Sequence, residues 1–492
     1  MDQKKIGTLL TYLQMILSII IGIVYTPVII RLLGKNEFGL YNTVASTISM
    51  LSILSLGFNS GYIRYYSKYK KKDDTNAIFS LNGMFILIFS VIGIIALLCG
   101  LYLTDHLELV FSEGLTQEEY KTARVLMFLL TINLAVSFPM SVFPNIISAH
   151  EKFVFLKLLG LVKTVFGPML TLPLLLAGYG SIGMVSVTVA ISFLADLCYL
   201  IYNSKILKER FYFRSFEKGL LKSLFIYTIF IALNMIIDQI NWNIDKALLG
   251  RFRGTVEVAI YTIGFSLYHY YLLMSTAVTG VFTPSIHRIY NEWKNQPDEL
   301  NRQFTDLFIR VGRIQYLILG LLASGIIFFG KTFIYFWVGD GFENSYMVAL
   351  LLVIPSSVPL IQNLGIEIQR AENKHHFRSI AYFFMALINL GLSIWLCQKY
   401  GAIGSAFGTA LSLIVANGLV MNIYYNKCCG IDIPMFWKNI LLVSRGMIAP
   451  VLFGNSFTQS FLDVFFPAIA FGNFCICFSI CMFNVAVWYE YL

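Results

Sequence analysis

Long apolar runs that carry almost no charge recur along the whole chain. A helix needs about 20 such residues to cross a hydrocarbon core roughly 30 Å thick. About 14 runs reach that length, and they are too continuous for the alternating pattern of barrel strands. The sequence therefore predicts an all-α polytopic membrane protein.

Composition agrees with this prediction. Of the 492 residues, 57% are hydrophobic and only 13% are charged, with a mean hydropathy of +0.72. A soluble domain could not bury so much apolar surface, so much of it should face lipid. The net charge of +9 is carried largely by short loops between apolar runs, which indicates membrane orientation rather than nucleic-acid binding.

The predicted spans form two groups of six, followed by two more. The first group covers 7–30, 38–60, 78–104, 124–148, 153–177 and 181–203. The second covers 219–242, 256–284, 311–337, 346–368, 378–398 and 402–425, and the last two spans are 437–456 and 462–488. The basic loops lie at 64–72, 205–222 and 288–313, whereas the loop at 104–120 is acidic. By the positive-inside rule, both termini should be cytoplasmic, and the basic amino terminus, which shows no cleavage site, should be a retained first span.

The two groups of six are related by an internal repeat with an offset of about 220 residues. The matching segments are 32–34 with 248–250, 137–140 with 357–360, and 179–183 with 400–404. Because six is even, both groups should have the same orientation, as two bundles related by a pseudo-twofold axis along the membrane normal. The predicted domains are therefore 1–215, 216–428, and an added pair of helices in 429–492. A substrate cavity is expected at the seam between the two bundles.

The repeat is most distinctive around the first corner of the chain. The pattern predicts a helix that ends at Arg31, turns through Leu32-Leu33-Gly34, restarts at Phe38 and leaves into the basic run that ends at Lys72. A softened copy of this corner occupies 248–266.

Ionisable residues inside predicted spans are candidates for function, since each costs several kcal/mol unless it faces water or a partner. Lys163 lies ten residues into the fifth span, roughly 15 Å deep at 1.5 Å per residue. It indicates a polar cavity, or else a lysine paired with a nearby acid. Arg31 and Arg64 end the first two spans, where they could line the same cavity or extend to the interface.

A polar stripe on the seventh span forms a second candidate site. Its spacing of four, three and four residues puts these side chains on one helical face: Asn234, Asp238, Asn241 and Asp245. Such oxygens could hold Na⁺, or Asp238 could carry a proton; the alternative is a water-lined wall with no coupling role. Spans eleven and twelve offer further oxygen ligands in Asn389, Ser393 and Thr409.

No motif in the chain indicates catalysis. Gly178, Gly180 and Gly183 spell the dinucleotide-binding pattern, but they lie in a short hairpin between two spans instead of after a strand. The eight cysteines are scattered, and no histidine spacing suits a metal. The sequence predicts no catalytic residue, no structural metal and no cofactor. An enzyme would also need a larger outer loop than the one of about 20 residues at 104–120.

Three segments resemble a known family: RLLGKNEFGLY at 31–41, LSLGFNSGYIRYYSKY at 54–69 and YGAIGSAFGTALS at 400–412. They are similar to the polysaccharide-transporter branch of the multidrug, oligosaccharidyl-lipid and polysaccharide exporter superfamily. Wzx-type O-antigen and capsule flippases belong to that branch, and MurJ-like lipid II flippases form a neighbouring one. The motifs are structural and specify the family better than the substrate.

This resemblance implies a bacterial inner-membrane flippase that moves a polyprenyl-pyrophosphate-linked oligosaccharide between leaflets by alternating access. It further implies a monomer, with the polysaccharide polymerase machinery as a candidate partner and with Na⁺ or proton coupling left open. Arg31 and Arg64 fall within the matching motifs, and a buried cation such as Lys163 suits a diphosphate. The competing hypothesis is a cation-coupled multidrug antiporter of the same superfamily, which would have more buried carboxylates and fewer buried cations.

The topology can be tested with an Asn76→Cys variant in a chain whose eight native cysteines are replaced. Since residue 76 follows the basic run at 64–72, we expect a membrane-impermeant maleimide to label it only from the cytoplasmic side. Glu118→Cys, in the acidic outer loop, is the control and should show the opposite pattern. Labelling of residue 76 from outside would overturn the predicted orientation.

Overall fold

The computed structural model describes residues 3–111, 115–213 and 219–445, and in these residues the secondary structure is helical, with no β-strand. The chain divides into two compact units, between Ala259 and Ile260. The first unit contains α1 Gln3–Met50, α2 Phe58–Lys70, α3 Thr75–Asp105, α4 Gln117–Met140, α5 Val142–Ala149, α6 Phe153–Leu176, α7 Gly180–Ile201, α8 Leu220–Trp242 and α9 Ile244–Phe252. The helix α10, Thr255–Trp293, starts in the first unit and continues in the second, where α11 Pro297–Val338, α12 Glu343–Ile361, α13 Leu364–Ala371, α14 His375–Leu413 and α15 Asn422–Lys427 follow.

The first twelve predicted spans all fall on helical stretches, and short breaks interrupt some of them. Within the described ranges, eight helical stretches are long and apolar enough to cross a membrane, and the number rises to nine if the bent helix α8 is counted as one span. Two of the eight, Lys5–Lys70 and His376–Lys427, each contain two predicted spans. The thirteenth span begins as a helix at 433–445, whereas the rest of it and the fourteenth span lie outside the described residues. The all-α polytopic class is confirmed, and the domain boundaries at 215 and 428 stay a prediction.

The first corner is tighter than the sequence suggested. Helical structure continues through Arg31 as far as Leu33, and the chain kinks at Gly34 alone, with φ 76° and ψ 171°. Only glycine adopts this conformation readily. The predicted restart at Phe38 is therefore wrong by about one turn, since helix resumes directly after Gly34.

The second copy of the corner turns at a different glycine. Gly250, the counterpart of Gly34, lies inside α9, and the positive φ of 88° belongs to Gly254. A Cβ atom on Gly250 would meet the Thr43 side chain at 2.2 Å. Gly250 therefore provides close packing between α9 and α1, and the turn moves to the next available glycine.

A break in the second span, which the prediction of one span over 38–60 missed, separates α1 from α2. Residues Leu51–Ser55 form a 3₁₀ turn, after which Leu56 and Gly57 take φ values of 47° and 70°. Gly57 and Gly61 form a Gly-x-x-x-Gly pair that packs on α8, where their Cβ atoms would contact Ile231 and Leu224 at 2.4 and 2.9 Å. This is the small-residue contact by which membrane helices approach closely.

Local geometry is repeated in the two groups of six. The helix that carries Pro139 ends at Met140, and the one that carries Pro359 ends at Ile361; each is followed by a helix of eight residues. Gly180 and Gly401 both have positive φ, 56° and 58°. Equivalent sequence positions thus impose equivalent bends, which supports the duplication.

Two apolar clusters lie in the described part of the first unit. One is formed by α2, α3, α5 and the start of α8 around Tyr62, Phe85 and Phe89; the other packs α4 and α7 on the second half of α1 around Leu40 and Val44. Large apolar side chains are also exposed along α1, α3 and α6, among them Leu9, Val24, Leu98 and Leu176. Such exposure is expected of helices whose outer faces contact lipid.

The packing at Gly39 gives a stability prediction. A Cβ atom there would lie 1.8 Å from the backbone oxygen of Thr255, so Gly39→Ala must push two backbone segments apart. We expect a loss of about 1–3 kcal/mol, seen as a lower melting temperature of the protein in detergent. Gly167→Ala, in α6 with no atom within 4 Å, is the control and should melt like the wild type; equal melting temperatures for all three would refute the contact.

Candidate functional site

Lys163 is half-buried in α6, ten residues after that helix begins. Its position is therefore about 15 Å along the helix. The helix contains Pro168 and Pro173 beyond it, and a proline removes a backbone hydrogen bond and can bend the chain. The lysine thus lies on the regular part of α6, near mid-depth of the predicted span.

Asp196, on the neighbouring α7, is an acidic residue that interacts with Lys163. α6 packs against α7, both Lys163 and Asp196 are half-buried, and the two side chains interact electrostatically. Asp196 is therefore the candidate acid for the expected alternative of a balanced lysine, which stays a prediction. An opposite charge at moderate range lowers the cost of holding an ammonium group inside a membrane protein.

Polar side chains lie beside this pair on the α1 side. Gln14 Nε2 donates to Thr164 Oγ1 at 3.5 Å, and Gly160 leaves room for Gln14, whose Nε2 would lie 3.0 Å from a Cβ atom there. The contact between α1 and α6 is thus polar at the level of Lys163. The sequence analysis missed Gln14 and Thr164, although an amide in an apolar span was a usable signal.

Arg64 is exposed on α2, and its guanidinium lies over the Tyr227 ring of α8, with Cζ 4.1 Å from the ring centroid. A cation over an aromatic face gains about 0.5–1 kcal/mol at an exposed site, and more when it is desolvated. This contact fixes Arg64 at the α2–α8 seam, and Tyr227 was not anticipated.

Arg31 is exposed in α1, three residues before the kink at Gly34. Arg31, Lys163 and Arg64 thus belong to the end of one predicted span, the middle of another and the end of a third. That all three line one cavity stays a prediction.

The polar stripe on α8 is continuous only in part. Asn234 and Asp238 are exposed and Asn241 is half-buried, all three on α8. Asn243 then interrupts the helix with φ −120°, so buried Asp245 lies on α9 instead of continuing the same face. Beside it, burial lowers the pKa of the Lys246 ammonium to about 8, and the Asp245 carboxylate opposes that shift.

The three predicted oxygen ligands in the second unit do come together. The Gly401 bend folds α14 back on itself, so that Thr409 Oγ1 lies 3.5 Å from Asn389 Oδ1, while Ser393 Oγ donates to the same oxygen at 3.3 Å. All three are buried, and Gly408 leaves space beside Ser393. The cluster supplies amide and hydroxyl oxygens but no carboxylate of its own.

The glycine-rich pattern has a structural role. Gly178 and Gly180 take φ values of 84° and 56° in the turn between α6 and α7. Glu37 Oε1 accepts hydrogen bonds from the Ser181 amide and hydroxyl, both at 2.6 Å, at the first turn of α7. A carboxylate at a helix N-terminus stabilises that end, and it occupies the position that a phosphate would need.

In the second unit, an ion pair and a hydrogen bond connect the loop between α13 and α14 to the segment that carries Cys428 and Cys429. Lys374 Nζ lies 3.1 Å from Glu372 and donates to the Cys428 carbonyl at 2.7 Å. Burial raises the pKa of the Glu372 carboxyl, with Lys374 opposing the shift, and burial raises the pKa of the Cys429 thiol to about 12. Cys429 is therefore a poor nucleophile at neutral pH.

Across the described ranges, no three His, Cys, Asp or Glu residues form a metal-binding group.

A groove of about 440 Å³ opens on the first unit where the second span breaks. Every side chain in its lining is apolar, and they come from the break itself, α2, α3 and α8: Leu54, Leu56, Phe58, Leu87, Ile88, Val91, Ile92, Ile95, Leu221 and Phe225.

Solved structures with the same fold are membrane transporters. The lipid II flippase MurJ, in an inward closed conformation, superposes with a TM-score of 0.70 over 98% of both chains at 16% identity. An inward-facing multidrug resistance transporter of the MATE family gives 0.64 over 86% of this chain and 95% of its own, at 14% identity. The chain is thus a multi-pass membrane protein with the fold shared by these transporters.

Proteins related in sequence give more specific information about the family than the likeness in fold does. A Shigella flexneri protein described as an O-antigen transporter is 20% identical over 416 residues, which is 82% of this chain and 92% of that protein. A Haloferax volcanii protein described as a flippase of low-salt glycan biosynthesis is 23% identical over 261 residues, 51% of this chain and 53% of its own. The family model for polysaccharide biosynthesis proteins matches residues 5–290. The chain belongs to the polysaccharide biosynthesis protein family.

Proposed function

We propose that this protein is a flippase that carries a polyprenyl-pyrophosphate-linked oligosaccharide from the cytoplasmic to the outer leaflet by alternating access. Family membership over 5–290 supports it most directly. The relatives described as an O-antigen transporter and a glycan flippase, and the likeness in fold to a lipid II flippase, support the same function. The protein is a transporter and performs no covalent chemistry on its cargo.

Lys163 is the proposed contact for the pyrophosphate. Before the cargo arrives, Asp196 on α7 is the acid that interacts with this lysine. A diphosphate carries more negative charge than one carboxylate and offers more acceptor oxygens, so it competes for the lysine. Thr164 and Gln14 add neutral donors beside it for phosphate or sugar oxygens, and Arg64 and Arg31 attract the same headgroup nearer the two membrane faces.

The lipid chain of the cargo stays in the bilayer. The groove beside the second-span break is wholly apolar and large enough for part of such a chain. The chain would leave lipid and not water, so it would gain little hydrophobic free energy there, and van der Waals packing against the groove would hold it.

Coupling to Na⁺ or protons is proposed to use two sets of polar residues, one in each unit. In the second unit, Asn389, Ser393 and Thr409 present converging oxygens, which hard cations prefer. In the first unit, Asp238 is the candidate carboxylate, with Asn234, Asn241 and Asp245 as further candidates along α8 and α9. So few carboxylates suit a monovalent cation or a proton better than a divalent metal.

The setting of this function is the bacterial inner membrane, with both termini in the cytoplasm and the protein acting as a monomer beside the polysaccharide polymerase machinery. A second candidate is a cation-coupled multidrug antiporter, which the likeness to the multidrug transporter favours. Efflux of cationic dyes from cells that express the protein would support that alternative.

Lys163→Ala is expected to abolish export of the surface polysaccharide, because the pyrophosphate loses its buried cation. The readout is complementation of a flippase-deficient strain, with membrane abundance measured in parallel. Lys157→Ala, six residues earlier and on a different face of α6, is the matched control and should export normally. Normal export by Lys163→Ala, at equal abundance, would remove this lysine from the mechanism.

Asp238→Asn is expected to weaken or remove the dependence of flipping on the Na⁺ or proton gradient in proteoliposomes, since the amide cannot carry the charge that couples the ion. Ser393→Ala should have a smaller effect in the same direction, because one neutral oxygen is lost. If the gradient response of Asp238→Asn matched the wild type, Asp238 would be a cavity wall only.

A further inference from the structure

A mostly buried carboxylate lies outside the predicted spans, in the segment between the two groups of six. The Glu209 side chain is only 8% exposed. Its Oε2 accepts from Asn82 Nδ2 of α3 at 2.9 Å, and its Oε1 lies 3.1 Å from His150 Nε2, just after α5. Asn82 is itself fixed, since its Oδ1 accepts from the Tyr62 hydroxyl at 2.6 Å.

The surroundings of His150 determine how many protons this pair holds. Its Nδ1 lies 3.0 Å from the backbone oxygen of Ile146, which can only accept. Its Nε2 faces Glu209, and an ionised carboxylate can also only accept. Both contacts are satisfied together if the ring is an imidazolium, or if Glu209 carries the proton. Neutral His150 beside ionised Glu209 would set two lone pairs against each other.

Tyr66 offers His150 a second partner. Its hydroxyl lies 3.0 Å from Nε2 and 3.3 Å from Nδ1. When the shared proton leaves and the remaining ring proton stays on Nδ1, towards the Ile146 oxygen, this hydroxyl can donate to the bare Nε2, whereas the ionised Glu209 cannot. Deprotonation thus exchanges one partner of His150 for another and releases the carboxylate.

Other ionisable groups near the pair come from each adjoining element. They are Tyr62, Tyr66 and Lys70 on α2, Glu151 and Lys152 after His150, and Lys208 and Arg210 on either side of Glu209. Lys70 lies over the Tyr66 ring, 5.8 Å from its centroid. Asn82 is the neutral contact from α3.

Glu209 belongs to a segment that we call the connector, residues 208–213. The connector follows a π-helical turn at Tyr202–Leu207 and leads towards α8. It docks on α3 through the Tyr212 amide, which donates to the Phe79 oxygen at 2.9 Å, and through Gly83, where a Cβ atom would meet the Tyr212 oxygen at 2.1 Å. The Phe211 ring packs edge-on against Phe143 of α5. Glu209 is the only acidic residue in these six.

We propose that His150 and Glu209 form a proton-binding site that holds the connector on the first unit. With the shared proton bound, Glu209 is anchored by Asn82 and His150 together. On its loss, Tyr66 takes over His150 and the connector loses its charged anchor. Histidine is the side chain that most commonly changes charge near neutral pH, so a comparison across neutral pH tests this exchange of partners, which does not depend on the cargo proposed above.

Hydrogen exchange of the full-length protein in detergent tests the site. Exchange of the connector amides, corrected for the intrinsic effect of pH, should be about tenfold faster at pH ~8.5 than at pH ~6, as expected for losing one hydrogen bond to a charged group. Glu209→Gln and His150→Gln should each remove this pH dependence, since neither retains the shared proton. Tyr66→Phe, which keeps the pair but removes the competing donor, should keep the connector protected to higher pH.

Glu151→Gln, one residue after His150, is the matched control and should keep the pH response of the wild type. Connector protection that does not change with pH in the wild type would overturn the proposal, as would an unchanged pH response in Glu209→Gln. If His150→Gln failed to fold, Glu209→Gln alone would decide, because its amide still accepts from Asn82. No transport assay is involved, so the result is independent of the proposed flippase activity.

Discussion

The fold depends on the inability of hydrocarbon to hydrogen-bond the backbone. Each residue that crosses the membrane must satisfy its amide and carbonyl within its own helix, which explains the long helices of this chain. The same constraint makes every interruption costly, so breaks occur where other groups compensate. The break at Leu51–Gly57 is closed by a 3₁₀ turn and a left-handed cap, and α8 packs directly on Gly57 at its end and on Gly61 one turn later.

Charged side chains inside the membrane are costly for a related reason, since hydrocarbon cannot solvate them. A bare ammonium in the middle of a span would cost several kcal/mol. Lys163 in α6 is half-buried, and Asp196 on α7 is the acid that interacts with it. The Arg64 guanidinium is stabilised differently, by stacking on the Tyr227 ring at the α2–α8 seam. Cation–π contact needs no second charge, so Arg64 keeps its full positive charge in this contact.

Hydropathy was sufficient to predict the helices, because apolar length is the property that a bilayer selects. It could not locate the breaks, which depend on single residues. Gly34 turns the chain whereas its counterpart Gly250 does not, since Thr43 packs on Gly250 and Gly254 is available four residues later. The spacing of Asn389, Ser393 and Thr409 predicted a common location, and the Gly401 bend brings the three side chains together. No spacing in the sequence linked His150 to Glu209, because that contact joins segments 59 residues apart and depends on how the connector docks.

The two copies of the second helix have diverged in mechanical character. In the first copy, α2 is joined to α1 through residues whose backbone leaves the helical ladder, so a tilt of one part need not be passed to the other. In the second copy, α10 is one helix of 39 residues that contains Pro284. The second helix of the repeat is therefore interrupted in one copy and continuous in the other, and the interruption includes a leucine and a glycine, at positions 56 and 57, whose φ values are positive.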